Sequence, residues 1–421
     1  MSTLGGAVER TSGGTSGHSG AFPAPGSAPL TASALARALE VILPRPDQTW
    51  LLRACLLTAE PGRDAWRQWQ RCHRDVKAAL ADDASGAKQI LPLLFTALRR
   101  NGAPVDESLR PYLTTSYARE EMRNDAYRAI CRVALEALGA AGISVMVVKG
   151  AALAETVYDH PAQRHCHDID LFVARDDLDR AVCALRKAGF TQAPLSPDYG
   201  PFDVKMDHPS GLPLELHGRL FGLPFYKLPA SEAWARSRAT VIAGVVTRTL
   251  SPEHALVHVC GHASYSVSRQ WLRWVCDAWY IIEREPELDW HQMLETARRA
   301  RLVVPLFVTL RYLSEAFGAR IPGAFLRRLS DAVDRAPAVE RDVALFGARN
   351  GTRESVPALL QRMPGGWPTR LRALGWLLFP SRAYLRGAAL RRPAAAGALL
   401  YVTRPLEYFV KAPFRRSRER A

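Results

Sequence analysis

Two aspartates, Asp168 and Asp170, stand in a stretch that is otherwise apolar: Ile169 lies between them and Leu171-Phe172-Val173 follow. On an extended strand, alternation turns Asp168 and Asp170 to one face and Ile169 into the core. Just upstream, Ile143 to Val148 is a short β-branched run that suits a buried strand. Lys149-Gly150 ends it, and Ala151 to Tyr158 has helical composition. Gly150 therefore stands where a strand feeds a helix N-terminus. That junction offers free backbone N–H groups and the positive end of a helix dipole, both suited to phosphate. Paired carboxylates beside such a cradle can hold Mg²⁺ against a nucleoside triphosphate. The bland alternative is that the two acids cap a turn.

A metal-assisted transfer of a nucleotidyl group needs a third carboxylate, to complete the acceptor-side metal or activate the attacking oxygen. Glu215, in Leu214-Glu215-Leu216-His217, is the candidate, because it alternates with two leucines and points away from them. It could instead be an ion-paired strand residue. Lys149 is either a phosphate contact or a solvated strand-end lysine. Arg164 either grips phosphate or pairs with Asp159. His217 shares the face of Glu215 and either orients an acceptor or bonds a backbone carbonyl.

The ordered set of strand, Lys149-Gly150, helix, Arg164 and Asp168-Ile169-Asp170-Leu171 resembles the nucleotidyltransferase superfamily, with its polymerase-beta-like fold. It is most similar to the bacterial branch of uncharacterised nucleotidyltransferases. The resemblance is specific over 145–220, extends through Glu215-Leu216-His217 and Arg219, and is loose over the rest of 30–340. Ala151 stands where the broader superfamily usually has Ser or Gly, and Gly218 where relatives often have Trp. The resemblance implies an α+β fold: a mixed β-sheet core flanked by helices, with helical N- and C-terminal regions. It implies Asp168, Asp170 and Glu215 as catalytic metal ligands for two Mg²⁺ ions. Lys149, Gly150, Ala151 and Arg164 would bind the NTP, with His217 and Arg219 on the acceptor side. The reaction implied is transfer of an NMP to a hydroxyl or phosphate of a small molecule, glycan or peptide. A non-catalytic nucleotide-binding scaffold and an RNA-directed enzyme are the competing readings.

The chain has 421 residues and a net charge of +15. Such a surplus favours polyanions: nucleotides, nucleic acid or an anionic membrane face. Seven cysteines without a C-x-x-C pair indicate neither a disulfide framework nor a zinc ribbon, which fits a reducing cytosol. No secretory signal is expected from the Gly/Ser-rich start, and no uncharged apolar run reaches the roughly 20 residues that span a bilayer.

Residues 1–30 are expected to be a disordered leader. Residues 31–140 read as helical and 141–250 as the catalytic core. Within that core, Asp176 to Gly189 reads as an amphipathic helix. Phe202–Met206 and Leu212–His217 read as a hairpin around Pro209-Ser210-Gly211, and Thr240–Leu250 as a last strand. Residues 251–345 return to helices, with Ser251 a cap before Pro252. His254, His258 and His262 share one helix face. That spacing suits a transition metal, although a polar face against the cleft explains it equally. Asp277 is expected to be a buried, paired acid that holds its helix to the core. The segment 346–421 is basic and aromatic: from Arg370 onward it carries twelve Lys or Arg against Glu407 and Glu419. Its expected roles are packing with peripheral contact to an anionic membrane at its inner face, and RNA second.

Overall fold

The β-branched run after Ile143 forms β1, Val145–Val148, and the run after Asp168 forms β2, Ile169–Val173. Alternation along both divides them between two cores. Val147, Ile169, Leu171 and Val173 enter one apolar cluster, whereas Met146, Val148 and Phe172 enter the other. The computed structural model describes residues 31–193, 202–221, 225–264 and 272–350, with Pro368 and Leu371 beyond them. The leader 1–30 and almost all of the tail 346–421 lie outside the described residues.

Five further strands complete the sheet: β3 (Thr191–Gln192), β4 (Asp203–Asp207), β5 (Pro213–His217), β6 (Arg238–Ile242) and β7 (Val245–Thr249). Their order is β3-β4-β5-β2-β1-β7-β6. β2 runs parallel to β5, and β1 parallel to β7; the other pairs are antiparallel. This is the mixed sheet expected. The run Thr240–Leu250 is not one strand, however: it contains the turn of a hairpin. Ala243 and Gly244 both adopt positive φ, 53° and 80°, the twist that a two-residue hairpin loop requires. Ala-Gly is a weak written signal for such a turn, so the break was not visible in the sequence.

Before the sheet come α1 (Ala32–Leu39), α2 (Pro46–Leu56), α3 (Ala59–Arg71), α4 (Val76–Ala81), α5 (Leu91–Asn101) and the long α6 (Arg110–Ala140). Within it lie α7 (Lys149–Thr156), α8 (Leu178–Lys187) and α9 (Ala230–Ala235). After it follow α10 (Pro252–Ala263), α11 (Arg273–Arg284), α12 (Trp290–Ala300), α13 (Val303–Phe317), α14 (Gly323–Asp334) and α15 (Ala338–Asn350). α8 starts two residues later than its polar prelude suggested, because Arg175–Asp177 form a 3-10 turn. Ser251 caps α10 as expected: its hydroxyl accepts from the His254 N–H.

α6 and α8 cover one sheet face. On the other, side chains of α1–α5 and α10–α15 form a single apolar cluster. The N-terminal helices thus fold back onto the C-terminal ones. Ala32 N–H donates to Asp334 Oδ1 at 2.7 Å, and the Thr49 and Tyr312 hydroxyls meet at 2.9 Å. Among the described residues no helix is long and apolar enough to cross a membrane.

Candidate active site

The polar positions of three strands, β2, β4 and β5, gather at one end of the face that carries Met146, Val148 and Phe172. The parallel pairing of β2 and β5 sets Asp170 opposite Glu215 and Phe172 opposite His217. The antiparallel pairing of β4 and β5 sets Asp203 opposite His217 and Lys205 opposite Glu215. With a period of two, Asp170, Glu215, His217 and Asp203 all project from that face. Their leucine, valine and methionine neighbours fill the opposite core.

Asp170 is 2% exposed and central. Lys149 Nζ donates to its Oδ1 at 2.6 Å, and His217 Nε2 meets the same oxygen at 2.7 Å. His217 Nδ1 donates to Asp203 Oδ1 at 2.9 Å, and Glu215 Oε2 lies 3.6 Å from Nε2. Lys149 itself has φ 55°. That left-handed conformation is uncommon outside glycine and asparagine and is held here at the β1–α7 junction.

Burial disfavours the Asp170 carboxylate, but the Lys149 ammonium and the His217 hydrogen bond outweigh it and hold the carboxyl far below its usual range. Burial and Lys149 oppose a charged His217; its bonds to Asp170 and Asp203 prevail and push it up to about 10. Asp168 behaves oppositely. Burial, with Asp170 and Glu215 nearby, raises its carboxyl to about 7. Asp168 Oδ2 lies 3.2 Å from His167 Nε2.

The loop entering β2 is clamped from both sides. From α6, Glu120 accepts from Cys166 N–H at 3.3 Å and meets His165 Nδ1 at 2.7 Å, while Arg123 donates to Cys166 O at 3.0 Å. From α11, Arg273 donates to His165 O at 2.9 Å and His167 Nδ1 at 3.1 Å. Arg164, expected either on phosphate or on Asp159, is buried and forked onto Asp277, Nε at 2.7 Å and Nη2 at 2.8 Å. Its Nη1 donates to His165 O. A guanidinium with no water around it must take the nearest carboxylate, and α11 supplies one. Asp159, its other expected partner, pairs with Arg284. Asp277 is the buried, paired acid anticipated, and Tyr158 also donates to it at 2.8 Å.

Gly150 opens α7 against that fork: a Cβ there would lie 3.2 Å from Arg164 Nη1 and from Cys166 Sγ. Ala151 is half-buried beside it. Arg219 is exposed, and Asp203 of the acid cluster acts on it electrostatically. Arg219 lies over the Phe202 ring at 4.7 Å, which Arg175 also caps at 3.9 Å. The α10 histidines turn inward: His254 meets Ser251 at 2.9 Å, His258 donates to Leu220 O at 2.7 Å, and His262 stacks on Phe221.

Among the described residues, one group of side chains could hold a metal ion: Asp170, Glu215 and His217, with ligand atoms within 4.8 Å of one another. Hard carboxylate oxygens fit a divalent cation. Asp168 is not within that group. Asp203, Glu120 and Arg273 were missed in the sequence. For Asp203 a signal existed: it is the acid at the His217 register position in the hairpin already read.

No curated protein matches the chain. A family model described as "Uncharacterised nucleotidyltransferase" matches residues 77–318, more than half of the 421. The chain belongs to the uncharacterised nucleotidyltransferase family and is a transferase of phosphorus-containing groups.

Proposed function

We propose that the protein moves a nucleoside monophosphate from an NTP, ATP among them, to a hydroxyl or phosphate of a small molecule, glycan or peptide, in a Mg²⁺-dependent reaction. The observation that carries this reading is the register of Asp170 opposite Glu215 on neighbouring parallel strands, with Lys149 and the α7 N-terminus beside them. Asp168, Asp170 and Glu215 would hold the metal, two ions in this reading. The bound metal neutralises charge on the transferring phosphoryl group and favours an oxyanion nucleophile.

The residues of the chain do the positioning. Gly150 and Ala151 present N–H groups at the helix start, suited to phosphate oxygens, while the missing side chain of Gly150 makes room for Arg164 and Cys166. Lys149 carries its ammonium on a long stem. On Asp170 it balances a buried carboxylate, and on the triphosphate it would offset the β- and γ-charges. Arg164 acts through the turn, by holding Gly150 against β2 from its fork with Asp277. His217 faces Asp170 and Glu215 from the acceptor side. Arg219 and Arg175 over Phe202 form a cationic ledge suited to an anionic acceptor. Catalysis is then orientation plus electrostatic stabilisation of an in-line displacement. Peripheral membrane contact through 346–421 rests on composition alone.

The test is incubation with each NTP, labelled at the α-phosphate, with Mg²⁺ and a cell extract, beside the Asp168→Asn/Asp170→Asn double variant. Label appearing on a new species with wild type only supports the reading and delivers the acceptor. No transfer with any NTP overturns it.

A further inference from the structure

The Asp203–His217–Asp170 chain carries more than charge balance. Asp203 is nearly buried, and its carboxylate can only accept at Nδ1, so His217 carries a proton there. Nε2 then faces Asp170 Oδ1, 2.7 Å away. This close approach needs positive charge, which a proton on Nε2 and the Lys149 ammonium, 2.6 Å from Oδ1 and 3.3 Å from Nε2, supply; a metal ion held by the same atoms would take their place. Glu215 Oε2, 3.6 Å from the same nitrogen, supplies a third donor. All three project from one sheet face at positions set by the β2–β5 register.

We propose that His217 Nε2 is itself a metal ligand, completing with Asp170 and Glu215 a two-oxygen, one-nitrogen site, and that Asp203 is the positioning residue that aims it. The inference rests on the proposed metal-dependent function but goes beyond an all-carboxylate site. It assigns a preference. An imidazole nitrogen favours first-row transition ions, whereas Mg²⁺ prefers hard oxygens and keeps its waters. The site therefore takes Mn²⁺ in preference to Mg²⁺. The Asp203 bond fixes ring orientation and tautomer, as an outer carboxylate does for metal-bound histidines elsewhere.

The experiment uses the full chain with Mn²⁺ alone and no nucleotide. Electron spin echo spectroscopy of bound Mn²⁺ reads a directly bound histidine nitrogen, and histidine labelled with the heavier nitrogen isotope must change that modulation. The signal is expected in wild type and absent in Asp170→Asn and His217→Gln. Competition binding should show Mn²⁺ preferred over Mg²⁺ by about tenfold or more in wild type, with the preference collapsing in His217→Gln. Asp203→Asn should keep the nitrogen signal while weakening Mn²⁺ binding by roughly 10–100-fold. Circular dichroism of each variant guards against loss of fold. Mn²⁺ bound through Asp170 without a histidine nitrogen overturns the inference and leaves nucleotidyl transfer standing, and so does an absence of Mn²⁺ binding. Unchanged affinity in Asp203→Asn removes Asp203 from its positioning role. A histidine nitrogen on the metal without transfer from any NTP supports the inference and overturns the proposed reaction instead.

Discussion

Arg164 and Asp277 meet as a two-bond fork, Nε to Oδ1 at 2.7 Å and Nη2 to Oδ2 at 2.8 Å. The fork joins the loop before β2 to α11, so the helical region that follows the sheet is anchored beside the acid cluster. Asp277→Asn would leave the guanidinium buried and half-paired. The expected cost is about 3–5 kcal/mol, read as a clear drop in Tm. Arg164→Met/Asp277→Leu should recover much of it, because neither charge is then stranded. A Tm unchanged in the single variant would show that the fork does not hold α11.

Gly150→Ala tests the turn itself. The added methyl meets Arg164 Nη1 and Cys166 Sγ at 3.2 Å. Neither can step aside: the guanidinium is locked by Asp277, and Cys166 is held through both its backbone N–H and C=O. A loss of about 1–3 kcal/mol is expected, with weaker NTP binding in equilibrium titrations. A variant as stable as wild type would mean that the loop yields.

Asp170→Asn should lower the rate of label transfer from an α-labelled NTP by at least about 100-fold, with the circular dichroism spectrum retained. Lys149→Met should act differently and raise KM for the NTP more than it lowers kcat. Activity unchanged in Asp170→Asn would remove that carboxylate from the reaction.

Glu340 makes stability depend on pH. It is 3% exposed and accepts from the Val304 N–H at the start of α13 at 3.2 Å. Burial raises its carboxyl from 4.5 to about 7, against the backbone N–H groups of Val303 and Val304 that favour the charge. Between these values the folded protein holds a proton that the unfolded chain has released. Stability therefore falls as pH rises from about 4.5 to about 7, by roughly 2 to 3 kcal/mol. Glu340→Gln keeps an acceptor for Val304 without the charge. Its Tm should exceed that of wild type at pH about 8, and the gap should close near pH about 5. A gap that stayed constant across that range would show another group to be responsible.

Much of the site is written locally. The two-residue period puts Asp170 on the polar side of β2 and Glu215 and His217 on the polar side of β5, whatever the strands pair with. Ser251-Pro252 marks a helix start, and Lys149-Gly150 a strand-to-helix turn, because caps and turns depend on a few adjacent residues. The long-range pairings were not legible. Arg164 offered phosphate or Asp159 as partners, and packing chose Asp277 from α11. Asp203 read as one more polar strand residue until the β4–β5 register set it against His217. The β6–β7 hairpin was hidden because Ala243 is a poor sign of a left-handed turn.

Composition and alternation alone thus determined that a strand, a phosphate-suited turn and three outward acids belong to one sheet core, because backbone periodicity is a local property. Only the tertiary structure decided which buried charge faces which, and that α1–α5 share a core with α10–α15. A charge taken out of water bonds to whichever partner packing brings within reach, and that partner is chosen by the whole chain.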